Sequence, residues 1–207
     1  MLGFLGLLVA AVITDSDVPS QNLDRTFLGP GLSLMLTVAA VVGSFAFTSD
    51  YRAGAFSRRV LLFQRHAALV ARGTTTTLAA SFTGVVVGLA FGLSGTILGG
   101  AWHMSVQAVL AFAGIAGMGA LWGFALGSLI RNHLVTLFVV PFSLVLQEFL
   151  ADSLKPTEAW LFAVQASDWA SHAAFNIPAS GSFLGAAGWL LVVSVAASWA
   201  FLERDLA

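Results

Sequence analysis

The chain has 207 residues, of which 58% are hydrophobic and only 9% are charged, and its formal net charge is -1. Soluble globular domains carry about 25% charged residues, so this composition excludes a water-soluble fold. The chain has no surplus of basic residues that would indicate a nucleic-acid partner. Because it has no cysteine, disulfides and thiolate chemistry are excluded. We therefore predict an all-α integral membrane protein with a single membrane domain over residues 1–207.

Six apolar segments are predicted to span the membrane as helices. A spanning helix needs about 20 apolar residues, because backbone polar groups find no partner in hydrocarbon. The segments are residues 1–14, 31–48, 74–98, 106–130, 134–150 and 182–202. Of the nine basic and ten acidic residues, only Glu148 falls inside a segment. The first segment is too short to cross, so we expect either a span truncated at its N-terminus or a helix that thins the bilayer.

Basic residues set the predicted orientation, because short cytoplasmic loops carry an excess of Lys and Arg. Seven of the nine basic residues fall on one side of the six-span topology: Arg52, Arg58, Arg59, Arg65, Arg72, Arg131 and Arg204. Arg25 and Lys155 fall on the other side, among most of the acidic residues. Both termini and the loop after the second span are therefore predicted to be cytoplasmic.

The loop between the second and third spans has the pattern of an amphipathic helix. Its apolar residues recur with helical spacing on one face: Phe56, Val60, Phe63, Ala67 and Val70. Arg58, Arg65 and Arg72 fall on roughly the opposite face. Such a helix either lies on the membrane surface with its arginines at anionic headgroups or docks a cytoplasmic partner.

The segment from Lys155 to Phe175, between the fifth and sixth spans, is too apolar for an ordinary loop and too polar to span. Pro156 and Pro178 bracket it, and apolar residues inside it have helical spacing. We predict one or two short re-entrant or interfacial helices there.

Two spans carry a glycine at every fourth position. These are Gly84, Gly88 and Gly92 in the third span, and Gly119, Gly123 and Gly127 in the fourth. The resulting smooth helix faces let another backbone approach closely. The spacing predicts helix packing within one protomer, with a dimer seam or a surface that slides during transport as the alternative.

The fifth span contains Pro141, which removes a backbone donor and predicts a kink. Gln147 and Glu148 follow near its end. A carboxylate there either reaches the outer headgroup layer or, with Gln147, lines an exit from the membrane.

Several kinds of chemistry have no motif in this sequence. The four histidines are scattered, without the spacing of a metal site. The sequence contains no Gly-x-Ser-x-Gly nucleophile motif. It also contains no Gly-x-x-x-x-Gly-Lys-[Ser/Thr] phosphate loop, so we expect no cofactor and no ATPase activity in this chain.

Three stretches resemble the membrane-spanning permeases of type-2 ABC exporters. The second span ends in Phe47-Thr-Ser-Asp-Tyr-Arg-Ala-Gly-Ala-Phe, similar to the acidic-aromatic-basic-x-Gly-Thr motif that opens the family's coupling helix. The fourth span ends in Leu126-Gly-Ser-Leu-Ile-Arg131, similar to its Leu-Gly-x-x-x-Arg. The chain ends in Phe201-Leu-Glu-Arg-Asp-Leu-Ala, similar to its Arg-Asp-hydrophobic ending.

The resemblance implies a permease that pairs with a second copy or a homologous permease, driven by two cytoplasmic ABC ATPase subunits that bind ATP and Mg²⁺. It also implies a coupling surface for the ATPase: Asp50, Tyr51, Arg52, Gly54, Arg58, Arg59 and Arg65. The expected location is a cell membrane, the inner or plasma membrane of a bacterium, with membrane lipids as further partners. Two alternatives stay open, a non-transporting scaffold or anchor that recruits a cytoplasmic partner, and a secondary transporter.

Overall fold

The computed structural model describes residues 20–54, 64–99, 105–153 and 160–203. Within these ranges the chain forms six helices and no strand. The helices are α1 (Ser20–Arg52), α2 (Arg65–Gly99), α3 (Val106–Ile130), α4 (His133–Ser153), α5 (Phe162–Ala174) and α6 (Ser180–Glu203). The predicted first span, residues 1–14, lies outside the described residues, as do residues 55–63 of the predicted amphipathic helix.

Five of the described helices are long and apolar enough to cross a membrane. The candidate spans are Leu28–Arg52, His66–Leu93, Val106–Ile130, His133–Ala151 and Ser180–Glu203. They coincide with the second to sixth predicted spans. The prediction of an α-helical, multi-pass membrane protein is therefore confirmed for the part of the chain that the structure describes.

Two helices are longer than the sequence predicts. Helix α1 begins at Ser20 and passes through Pro30, since the loss of one backbone donor is tolerated in long apolar helices. Helix α2 runs without a break from Arg65 to Gly99, so residues 65–72 continue into the third span and do not form a separate surface helix. The hydroxyls of Thr76 and Thr77 donate to backbone carbonyls one turn earlier, so neither is left without an acceptor.

Helix α3 is the centre of the bundle. Fourteen of its 25 residues are buried, against three of the 24 residues of α6. It packs most extensively on α1 and α2, and also contacts α4, α5 and α6. The glycine contacts described below show that α3 runs parallel to α1 and antiparallel to α2.

The short helix α5 lies inside the bundle, alongside α3. At its start, the ring of Phe162 stacks on Trp122 with 4.3 Å between centroids. At its end, the carbonyl of Ala174 accepts a hydrogen bond from the hydroxyl of Ser105, at 3.1 Å. Helix α5 therefore runs antiparallel to α3 over most of the length of α3, with Phe162 and a row of alanines buried.

Candidate functional site

One end of the bundle brings together side chains from five helices, and we call it the Arg131 end. Helices α1, α3 and α6 end there, and α2 and α4 begin there. Its core is a buried cluster formed by Phe47, Leu69, Phe124 and Phe201, with Tyr51 packed against it. The ring of Phe47 meets those of Phe124 and Phe201 edge-on, at 5.5 and 6.2 Å between centroids. Three helix ends and the start of α2 are thus packed on one aromatic cluster.

Arg131 joins the ends of three helices. Its guanidinium carbon lies 5.3 Å from the centroid of the Tyr51 ring and 5.6 Å from that of the Phe201 ring, within the range of a cation–π attraction. Its backbone is left-handed, with φ of 56°, and its N–H donates to the carbonyl of Gly127 at 2.9 Å, which ends α3. Among the described residues, its Nε and Nη2 are buried and have no hydrogen-bond acceptor.

An ion pair connects the end of α1 to the first turns of α2. Nε of Arg72 lies 2.8 Å from Oδ2 of Asp50, and the two side chains are 31% and 17% exposed. The pair bridges the connection over residues 53–64. The end of α1 and the first turns of α2 are therefore held together by a direct charge contact.

Helix α4 is tied to α1 at the same end. Oγ1 of Thr48 lies 2.9 Å from Nδ1 of His133. Oγ1 of Thr48 also lies 2.9 Å from the carbonyl oxygen of Ser44. The ring of His133 also packs on Phe45, with 4.5 Å between centroids.

The three stretches that resemble the exporter permeases meet at the Arg131 end. Tyr51 comes from the first stretch, Arg131 from the second and Phe201 from the third, and one guanidinium contacts both rings. Their separation along the chain gives no indication of this contact. Arg72 was not predicted as the partner of Asp50, although both lie near span ends on the same predicted side of the membrane.

The remaining predicted coupling residues surround this cluster or lie outside the described residues. Arg52 is the last residue of α1 and is exposed. Gly54 has φ of +66°, and its N–H donates to the carbonyl of Tyr51 at 3.1 Å, so the chain turns directly after α1. Arg65 is the first residue of α2. Arg58 and Arg59 lie outside the described residues.

The glycines of α3 pack on the backbone of α1. A Cβ placed on Gly119 would lie 2.4 Å from the carbonyl oxygen of Leu36, and one on Gly123 would lie 1.7 Å from that of Ala40. A Cβ on Gly127 would be 3.0 Å from the carbonyl oxygen of Ser44. Only glycine permits this approach of the two backbones.

The glycines of α2 pack on an earlier part of α3. A Cβ on Gly84 would lie 2.4 Å from the carbonyl oxygen of Phe112, and one on Gly88 would lie 3.2 Å from Cα of Val109. Gly92, one turn further along α2, is also buried. The structure therefore places five of the six predicted glycines in contacts between helices of this one chain.

Gln147 and Glu148 connect α4 to its neighbours. The side-chain oxygen of Gln147 accepts a hydrogen bond from the N–H of Ala163 at 3.0 Å, and its nitrogen donates to the carbonyl of Ser143 at 2.9 Å. Gln147 thus caps the free N–H groups at the start of α5. The carboxylate of Glu148 accepts a hydrogen bond from the hydroxyl of Ser33 on α1.

We expect Gln147→Leu to lower the free energy of unfolding by about 1–2 kcal/mol, because it leaves the N–H of Ala163 without an acceptor inside the bundle. Gln107→Leu is the matched control, since Gln107 is exposed near the start of α3. Thermal unfolding in detergent measures both. Equal stability of the two variants would contradict a capping role for Gln147.

Comparisons with protein-family models, with curated proteins and with solved structures find no match for this chain. Within the described residues, no group of three or more His, Asp and Glu side chains could hold a metal ion. The Arg131 end is the candidate site because its contacts join five helices and bring Tyr51, Arg131 and Phe201 together.

Proposed function

We propose that this chain is the membrane-spanning permease subunit of an ATP-driven ABC exporter. The observation that carries the proposal is the meeting of Tyr51, Arg131 and Phe201, one from each stretch that resembles the family. A protein that receives force from a cytoplasmic motor needs a place where several spans respond together. The contacts at the Arg131 end support that role.

In this proposal the Arg131 end faces the cytoplasm. The excess of arginine on that side supports the orientation, and it puts both termini inside. ATPase subunits would then dock on residues 50–65, with Asp50, Tyr51, Arg52, Gly54, Arg58, Arg59 and Arg65 as the coupling surface. ATP and Mg²⁺ would bind to the ATPase and not to this chain.

The ion pair and the cation–π contacts supply a route for the motion. Displacement of the connection after α1 would act on α1 directly and on α2 through Asp50 and Arg72. Arg131 would pass the movement to α3 and α6 through Tyr51 and Phe201. Rigid-body movement of packed helices is an established way to open and close a transport path.

The buried residues favour a path between two chains over a path through one. Within the described chain, the buried polar residues are three threonines and two serines, and the buried guanidinium nitrogens of Arg131 lie at one end of the bundle. The described part of a single copy therefore has no hydrophilic route through its core. This supports a dimer, and it weakens the secondary-transporter alternative, which needs ionisable groups inside the membrane.

The position of α5 beside α3 supports the interpretation of α5 as a re-entrant helix on the outer side of the membrane. Its contacts with Trp122 and Ser105 put it beside the membrane-spanning part of α3. In the proposed orientation it starts inside the bilayer and ends at the outer surface. An interfacial helix would not reach Trp122.

The test is the joint charge reversal Arg58→Glu with Arg59→Glu. We expect a co-expressed ABC ATPase, taken from the neighbouring reading frame, to bind this variant at least about tenfold more weakly, because two basic contacts become repulsive. ATP-driven transport should fall with it. Copurification and ATP hydrolysis by the purified complex measure the effect.

The matched control reverses the two basic residues on the opposite side, as Arg25→Glu with Lys155→Glu. These changes should leave ATPase binding intact. The coupling assignment is wrong if the Arg58 and Arg59 variant retains full copurification and full transport. Copurification of a cytoplasmic protein other than an ATPase would favour the scaffold alternative instead.

A further inference from the structure

A groove of about 310 Å³ opens on the side of the bundle between α2, α3 and α6, near the Arg131 end. Its lining includes Phe124 and Ala197, and a Cβ on Gly73 would lie 3.3 Å from the Phe124 ring. The described residues that line it carry no charge. All three helices carry candidate membrane spans, so the groove opens toward the acyl chains of a bilayer.

Five hydroxyl side chains line this otherwise apolar groove: Thr74, Thr77, Ser128, Ser194 and Ser198. Thr77 and Ser128 donate to carbonyls of their own helices. Thr74, Ser194 and Ser198 make no hydrogen bond within the described part of the chain. The last two are one turn apart on α6, so their hydroxyls form a short row of unused donors.

Unused hydroxyls are costly where lipid is the solvent, because hydrocarbon offers no acceptor. Many helical hydroxyls in the described ranges avoid the cost by bonding to a carbonyl three or four residues earlier, as Thr83 and Ser143 do. The exposed face of α4 carries large apolar side chains such as Phe138 and Phe142. Plain acyl-chain contact therefore does not account for the hydroxyl row in the groove.

We propose that the groove binds one glycerolipid from the bilayer leaflet at the Arg131 end. An acyl chain fills the apolar groove, and an ester carbonyl of the lipid accepts hydrogen bonds from Ser194 and Ser198. The depth of Ser198 in the membrane fits a contact with an ester carbonyl. Ser198 lies five residues before Glu203, the last residue of α6, which is about 8 Å along the helix. The absence of charge in the lining leaves the phosphate outside the groove. The site depends only on the chain spanning a membrane.

The experiment uses the full chain in vesicles of phosphatidylethanolamine and phosphatidylglycerol. The probe is a phosphatidylcholine with a photoactivatable diazirine on one acyl chain. Irradiation followed by peptide mapping should concentrate the label on the groove residues of α2 and α6, relative to the exposed face of α4. Ser194→Ala with Ser198→Ala should lower groove labelling about tenfold, through the loss of two hydrogen bonds.

Three further variants make the result specific. Ser198→Phe should displace the lipid by filling the groove. Ser194→Thr keeps a hydroxyl and should retain labelling. Thr83→Val removes a hydroxyl that bonds to Ala79 on α2 and should change nothing. Elution on size exclusion shows that each variant is folded.

Uniform labelling of the lipid-facing surfaces of α2, α4 and α6 would overturn the proposal. Unchanged groove labelling in the Ser194 and Ser198 double alanine variant would do the same. A crosslink from the groove to a second copy of the chain would show that a helix, and not a lipid, occupies it.

Discussion

Gly123→Ala is expected to lower the free energy of unfolding by at least about 2 kcal/mol. In an exposed helix, the same change stabilises by about 0.5–1 kcal/mol, because glycine loses more backbone entropy on folding. At Gly123, however, the new Cβ would lie 1.7 Å from the carbonyl oxygen of Ala40. The clash is with backbone, so α1 and α3 must separate and lose packing along their shared interface.

Gly188→Ala on α6 is the matched control, because nothing lies within 4 Å of a Cβ there. This variant should be as stable as the parent or slightly more stable. Denaturation by sodium dodecyl sulfate, followed by loss of helical circular dichroism, measures both. If Gly123→Ala is as stable as Gly188→Ala, the close contact between α1 and α3 is wrong.

The second large effect is expected at the ion pair between α1 and α2. Asp50→Arg places two guanidinium groups together in a half-buried site, and we expect a loss of about 2 kcal/mol in the free energy of unfolding. Under the proposed function, ATP-driven transport should fall as well. The swap Asp50→Arg with Arg72→Asp restores an opposite-charge pair and should recover most of both losses.

Glu203→Arg is the control for this charge change, because Glu203 is exposed at the same end of the bundle. It should alter the free energy of unfolding by less than about 0.5 kcal/mol. Unfolding in detergent and transport by the reconstituted complex are the two measurements. A swap variant no better than Asp50→Arg alone would show that the two side chains do not act as a pair.

The helices could be predicted from sequence because their signal is local. Long apolar segments, with charged residues outside them, predicted five helices that the structure contains. The boundaries were less predictable. The second span was predicted to begin at residue 31, but α1 begins at Ser20 and passes through Pro30, and residues 65–72, predicted to lie in a surface helix, form the first turns of α2. A long apolar helix tolerates the loss of one backbone donor at Pro30, and at residues 65–72 the helical hydrogen bonds continue into the span.

The roles of individual site residues were less predictable. The position of Gln147 near the end of a span predicted an exit lining, and nothing in the sequence indicated that its side-chain oxygen accepts a hydrogen bond from the N–H of Ala163 in α5. The glycine spacing indicated a close contact but not its partner, which is α1 for Gly123 and α3 for Gly84. These roles depend on how each helix is rotated about its axis, and rotation is decided by packing against other helices.

Composition and hydropathy by themselves determine that this chain is helical and where five of its helices lie, because an apolar solvent requires every backbone group to bond within its own segment. Only the tertiary structure decides that α3 is central, that Asp50 pairs with Arg72, and that Arg131 contacts both Tyr51 and Phe201. The physical reason is that these contacts join residues far apart in the chain. The relative positions of α1, α2 and α3 depend on the close packing of their glycine faces. A pattern within one helix does not show which helix it packs on.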